Sequence, residues 1–223
     1  LLAAPLVDVS AGRTDAFLVV TRALIDDEAR VPLLRLAGSD KPGILDKNHA
    51  SDARPGLSHY IPRAELAVPD APLYLVLGVE RGDEYRDVSP TEALEALASR
   101  GRTPLTIDEG LSLATVAPEI LVKNHCFSLA GSTRGDKRVP ALWISDGAPK
   151  LGWCFDRVPH SWLGLASARE RIATWDGGKG ELLEDLVTGR SRIDASDQGR
   201  SFQAFYYLLL SSSSLEELSA LLE

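Results

Sequence analysis

The stretch KNHCFSLAGSTRGDKRVPALWISDGAPKLGWCFDRVPHSWLG, residues 123–164, decides the fold. Side chains alternate along a strand. A run over 124–130 therefore puts Cys126, Ser128 and Ala130 on one face and His125, Phe127 and Leu129 on the other. GSTRGDKR, residues 131–138, has glycines where a turn needs positive φ. A second run covers 139–145, with Pro140 at its start, where a missing N–H does least harm. DGAP at 146–149 is a tight turn, and a third run over 150–155 aligns Leu151, Trp153 and Phe155. Short turns between alternating runs predict a three-stranded antiparallel meander. Trp143 and Trp153 are expected to meet across its second hairpin.

The chemistry-bearing residues gather in the same stretch. It holds both cysteines, two of the four histidines and three of the four tryptophans. A zinc-type set would draw on His125 or Cys126 with Cys154 and His160, but no pair has the short Cys-x-x-Cys or His-x-x-x-His spacing. Free thiols with no metal are expected. Arg134, Lys137 and Arg138 flank a glycine turn whose backbone N–H groups can hold a small anion, with His125 and His160 as further ligand-binding candidates. A nucleophilic Cys126 or Cys154 would need a histidine base in contact, which spacing alone does not provide. No catalytic residues and no cofactor are assigned.

Composition narrows the classes. The chain has 223 residues, 44% of them hydrophobic and 25% charged, as in an ordinary globular protein. A net charge of −8 argues against direct nucleic-acid or anionic-membrane binding. Two cysteines make no disulfide framework, so a reducing cytoplasm is the expected compartment. The absence of methionine predicts a fragment or a processed chain.

Outside the meander, FLVVTRAL at 17–24, residues 31–36 and PLYLVLGVE at 72–80 are expected strands. Residues 38–62 read as a long loop. SPTE at 89–92 and TIDE at 106–109 are capping boxes, predicting helices to about residues 100 and 120. Glu109 is accounted for as a capping carboxylate. The expected class is α+β: N-terminal strands, two helices and the meander, then an all-helical C-terminal appendage. In that appendage residues 168–187 read as one or two helices. Residues 200–210 read as an amphipathic helix with Phe202, Phe205, Tyr206 and Leu209 on one face. The expected units are an α+β domain over 1–168 and a helical appendage over 169–223.

Two resemblances accompany these readings. The 123–164 core resembles the signature of an actinobacterial family of uncharacterised proteins, a domain of unknown function. The likeness covers roughly 15–167 and is specific over 104–164. It implies a small cytoplasmic bacterial protein and names no catalytic residues. The stretch RERIATWDGGKGELLEDLVTGRSRIDASDQGRSFQAFYYLLLSSSSLEELSALLE, residues 169–223, resembles an internal piece of MukF-like, kleisin-type subunits (JetA or MksF type) of condensin-related plasmid-defence systems. There the segment belongs to a longer helical protein that bridges an SMC ATPase. Because that remainder is absent here, bridging is not carried over. The meeting of the two likenesses near Ala168 implies a fusion, a truncated gene or a chimera.

The functional expectation is a non-enzymatic protein-interaction module, with an SMC-type complex as partner through the C-terminal segment. The alternative is a binder of a small anionic ligand, or an enzyme, with its site on the meander.

Overall fold

The structure, a computed structural model, describes residues 7–46 and 56–173. In chain order its elements begin with β1 (Val7–Asp8), β2 (Arg13–Val20), α1 (Asp27–Arg30), β3 (Ile44–Leu45) and β4 (Ile61–Pro62). Next come β5 (Leu73–Glu80), α2 (Pro90–Ser99), β6 (Thr103–Pro104) and α3 (Ile107–Val116). Then follow β7 (Cys126–Ser128), β8 (Ser132–Thr133), β9 (Arg138–Ser145), β10 (Ala148–Phe155), β11 (Leu163–Leu165), β12 (Ser167–Ala168) and β13 (Glu170–Ala173).

Among the described residues the architecture is mostly β, with 13 strands in three sheets and three short α-helices. This corrects the α+β expectation. Many of the strands are only two or three residues long, too short to show alternation in the sequence. They become strands because partners distant in sequence supply their hydrogen bonds, as β8 does for β4 and β12 for β6.

The first sheet runs β1-β2-β5-β12-β6, and β13 also pairs with β5. The second runs β11-β7-β9-β10-β3, and β4 and β8 form a two-stranded ribbon. β5 is the axis of the first sheet. It pairs antiparallel with β2 along most of its length, and with β13 from Glu170 opposite Leu77 to Ala173 opposite Tyr74. The expected helix from residue 168 is thus a strand at its start, because the free side of β5 is there to receive it. The sheet continues five residues past the expected seam. The rest of the expected all-helical appendage, with Phe202, Phe205, Tyr206 and Leu209, lies outside the described residues. Residues 31–33, expected in a strand, form one 3-10 turn with Pro32 inside it.

The antiparallel pairing of the meander is present. β9 pairs with β10 from Ser145 opposite Ala148 to Arg138 opposite Phe155, and β7 pairs with β9. This register separates the two tryptophans. Trp143 stands opposite Lys150 and Trp153 opposite Pro140, so they lie on opposite faces. Trp143 meets Trp162 edge-on at 5.9 Å instead, and Trp153 meets Phe155 at 5.0 Å.

The second sheet is buried on both faces. Phe127, Leu129, Leu142 and Leu151 join the main core beside Phe17, Tyr74 and Leu111. Cys126, Ala141, Cys154, Leu163 and Leu165 pack with Ala93, Leu97 and Tyr85 around α2. Both helices start where the sequence marks them, with complete Ser89/Glu92 and Thr106/Glu109 capping boxes. α3 lies so deep that Gly110 has no room for a Cβ beside the Leu129 side chain. Gly82, at φ 79°, presses against the Leu165 carbonyl, where any side chain would collide.

A buried charge network fastens α1 to α3. Arg30, fully buried, reaches Asp108 at 3.0 Å, Asp27 at 3.3 Å and Ser112 Oγ at 2.8 Å. Arg22 adds an ion pair to Asp27 at 2.7 Å. Burial, reinforced by the neighbouring Asp108 charge, pushes the Asp27 carboxyl up to about 7, against the pull of Arg30 and Arg22.

Candidate interaction surface

The turn between β8 and β9 gathers the cations expected from GSTRGDKR. Asp136 organises it. Its Oδ2 accepts from Arg134 Nε and from Arg138 Nη1, both at 2.7 Å, and its Oδ1 accepts from the Arg138 amide at 2.8 Å. Burial opposes ionisation of Asp136. The Arg138 amide and the two guanidiniums outweigh it, and the carboxyl is held below its usual range. Lys137 is exposed.

Each guanidinium also lies over an aromatic ring. Arg134 is 5.6 Å from the centre of Tyr60, and Arg138 is 4.8 Å from that of Trp153. The row continues through Phe155, edge-on to Trp153 and 48% exposed. A turn follows in which the Val158 amide donates to the Phe155 carbonyl at 3.2 Å, leaving Val158 42% exposed. On the other flank Ile61, 60% exposed, stands opposite Thr133. Arg138, Trp153 and Phe155 thus lie together at the open end of the β9–β10 hairpin, while Val158 lines the cleft that also holds His160. Alternation and register place them: Trp153 and Phe155 share a face, and Phe155 pairs with Arg138.

The two candidate histidines lie apart from this turn, each with its own partners. His125 Nδ1 is 2.9 Å from Asp83 Oδ2, and Asp83 also takes two bonds from buried Arg81, at 2.7 and 2.6 Å. Partial burial works against the Asp83 charge, but Arg81 first and then His125 hold its carboxyl below the usual range. His160 packs on Trp162 at 5.4 Å and lines a cleft with Tyr85, Ser128 and Leu165. Burial lowers its pKa. The cleft offers about 10 Å³, the space of a single water. Of the five ligand-binding candidates, only His160 lines it.

Both cysteines are free and buried. Cys126 Sγ approaches the Val122 carbonyl at 3.5 Å, and Cys154 Sγ lies 3.6 Å from Ser128 Oγ. Burial raises both thiol pKa values, the direction opposite to an activated nucleophile. Among the described residues no three metal-binding side chains come together, and no helix is long and apolar enough to cross a membrane.

Sequence reasoning found the cations of this surface and missed Asp136, Trp153, Phe155, Val158 and Ile61. The i, i+2 spacing of Arg134, Asp136 and Arg138 was the available signal for the carboxylate. The exposure of Phe155 and Val158 carried no such signal.

Fold and surface together define a mostly-β protein with an arginine–aromatic face and no described catalytic constellation. The chain belongs to the Family of unknown function (DUF5701), whose family model matches residues 2–174. Residues 144–223 also match the model of Protein of unknown function (DUF3375). An uncharacterized protein of Mycolicibacterium smegmatis (strain ATCC 700084 / mc(2)155) is 62% identical over 56 residues, 25% of this chain and 12% of that protein. The chain therefore spans only a small part of that relative, whose mycobacterial source supports the actinobacterial character implied by the 123–164 core. No solved structure matches.

Proposed function

We propose that this chain is a protein-interaction module that docks its partner on the Arg138–Trp153–Phe155 surface. One observation carries the reading: Phe155 stands exposed beside a tryptophan that is covered by a stacked arginine. Trp, Phe and Arg are enriched in protein interfaces, and Trp and Arg dominate their energetic centres. Here they sit on a paired hairpin, so little side-chain freedom remains to be lost on binding. Binding of a small anion alone is the weaker reading, because it leaves the exposed Phe155 beside the arginine unused.

The resemblance of residues 169–223 extends this proposal. The segment beyond Ala173 would carry a second contact, with Phe202, Phe205, Tyr206 and Leu209 facing an SMC-type complex. A reducing cytoplasmic location fits the two free thiols.

A photoreactive phenylalanine analogue placed at position 155 of the full chain tests the docking surface. We expect one discrete adduct in actinobacterial cells, absent when the analogue replaces Leu33, which is 39% exposed on another part of the molecule. Phe155→Ala should then weaken binding of the purified adduct partner by about thirtyfold, the scale of an interface hot spot. Equal adduct patterns at 155 and 33, or none, would overturn the reading.

A further inference from the structure

Resting on the docking reading above, we infer that the partner segment is acidic: a short extended stretch with several carboxylates around one apolar side chain. The whole chain carries a charge of −8, yet this surface has the opposite sign. Arg134, Lys137 and Arg138 share the turn with Asp136, and the Asp156 amide donates to the Lys137 carbonyl at 2.9 Å, which brings the chain at Asp156 and exposed Arg157 beside it. A cationic face on an anionic protein repels other copies of the chain less at that face than elsewhere, and selects acidic partners.

The unused hydrogen-bonding capacity points the same way. Asp136 takes only Nε of Arg134 and only Nη1 of Arg138. Among the described residues no acceptor meets the Arg138 Nε–Nη2 edge, on a side chain that is 33% exposed, whereas Arg134, at 10%, is largely covered. A guanidinium edge with two parallel N–H groups matches a carboxylate in bidentate geometry. Trp153 stacking and the Asp136 bonds already fix the Arg138 plane, so this edge is oriented before any ligand arrives. What remains on offer is donors, and the fitting ligand supplies acceptors. Phe155, paired across the hairpin with Arg138, gives the segment's apolar residue its seat.

The test uses the full chain and fluorescein-labelled heptapeptides EEELEEE, QQQLQQQ and KKKLKKK, read by anisotropy. EEELEEE should bind saturably, and its affinity should fall about tenfold or more from low to physiological salt. The glutamine and lysine probes should not bind. Arg138→Glu should abolish binding, and Phe155→Ala should weaken it. Lys137→Glu, an exposed change that leaves the Asp136 bonds intact, should weaken it too and guards against a folding artefact. Equal binding of EEELEEE and QQQLQQQ, or indifference to both charge reversals, overturns the proposal. So does binding to phosphatidylserine vesicles with no binding of EEELEEE. A position-155 adduct whose partner contacts the site through a neutral or basic segment leaves the docking reading standing and removes only the acidic one.

Discussion

Arg171 and Glu109 are joined by two parallel bonds across the contact between β13 and α3, Nε to Oε1 at 2.6 Å and Nη2 to Oε2 at 2.9 Å. The carboxylate is fully buried and the arginine side chain 4% exposed. Tyr74 donates to Glu109 Oε1 at 2.8 Å and the Thr106 amide to Oε2 at 2.8 Å. Arg171 also reaches Thr103 Oγ1 at 2.6 Å and the Pro104 carbonyl at 2.9 Å. Arg171 thus ties β13 and β6 to the start of α3, and Glu109 brings in β5 through Tyr74.

Removing that cation leaves a buried carboxylate uncompensated. Arg171→Leu should lower unfolding free energy by about 3 kcal/mol, the scale for breaking a buried pair. Arg171→Leu combined with Glu109→Gln should recover a good part of the loss, because the charge goes with its partner. Urea unfolding of the two variants against the parent measures both effects. Equal losses in the single and double variants would refute the account.

Asp27 predicts a pH dependence of stability. Its carboxyl titrates from 3.8 in an unperturbed setting and near 7 in the folded chain, first through burial and then through Asp108. Between those values the folded state holds a proton that the unfolded state has released. The contribution of Asp27 is therefore full below 3.8 and is lost as pH rises toward 7, with a slope of at most about 1.4 kcal/mol per pH unit. Asp27→Asn should flatten that part of the curve. Denaturation midpoints taken across pH 4 to 8 on both proteins would show it, other carboxylates being common to the two.

The position of β13 predicts where the chain tolerates shortening. A version ending at residue 168 loses β13 and Arg171, and exposes one side of β5. A version ending at 173 keeps both. The shorter should melt at lower temperature or aggregate, while the longer should match the first unfolding transition of the full chain. Equal stability of the two would mean that β13 contributes nothing.

The thiols should be slow to react. Cys126 and Cys154 are 2% and 7% exposed, and burial raises both pKa values. An aromatic disulfide reagent at pH 8 should modify neither on the timescale of free cysteine, and both after unfolding in guanidinium. Rapid modification of the folded chain would contradict the packing described around α2.

Local signals in the sequence were enough for some of this fold. The boxes at Ser89 and Thr106 mark helix starts because capping is settled within four residues. The antiparallel order of the meander follows from its turns, and alternation places Cys126 with Ser128 and Leu151 with Trp153, but the register that separates Trp143 from Trp153 was not legible in the sequence. The cations Arg134, Lys137 and Arg138 are brought to one turn by their closeness along the chain.

Tertiary structure decided the rest, because those features depend on partners far along the chain. Residues 170–173 carry helix-compatible side chains, yet the open side of β5, almost a hundred residues earlier, makes them a strand. β12 forms between β5 and β6, strands from far earlier in the chain, and β6 has β12 as its neighbour. His125 and His160, close in sequence to the cationic turn, are drawn off to Asp83 and Trp162. Asp27 and Arg30 look like ordinary charges on a polar stretch until α3 covers them. Exposure of Phe155 and Val158 is likewise decided in three dimensions. Sequence periodicity tells which face a side chain takes, and only packing tells whether anything covers that face.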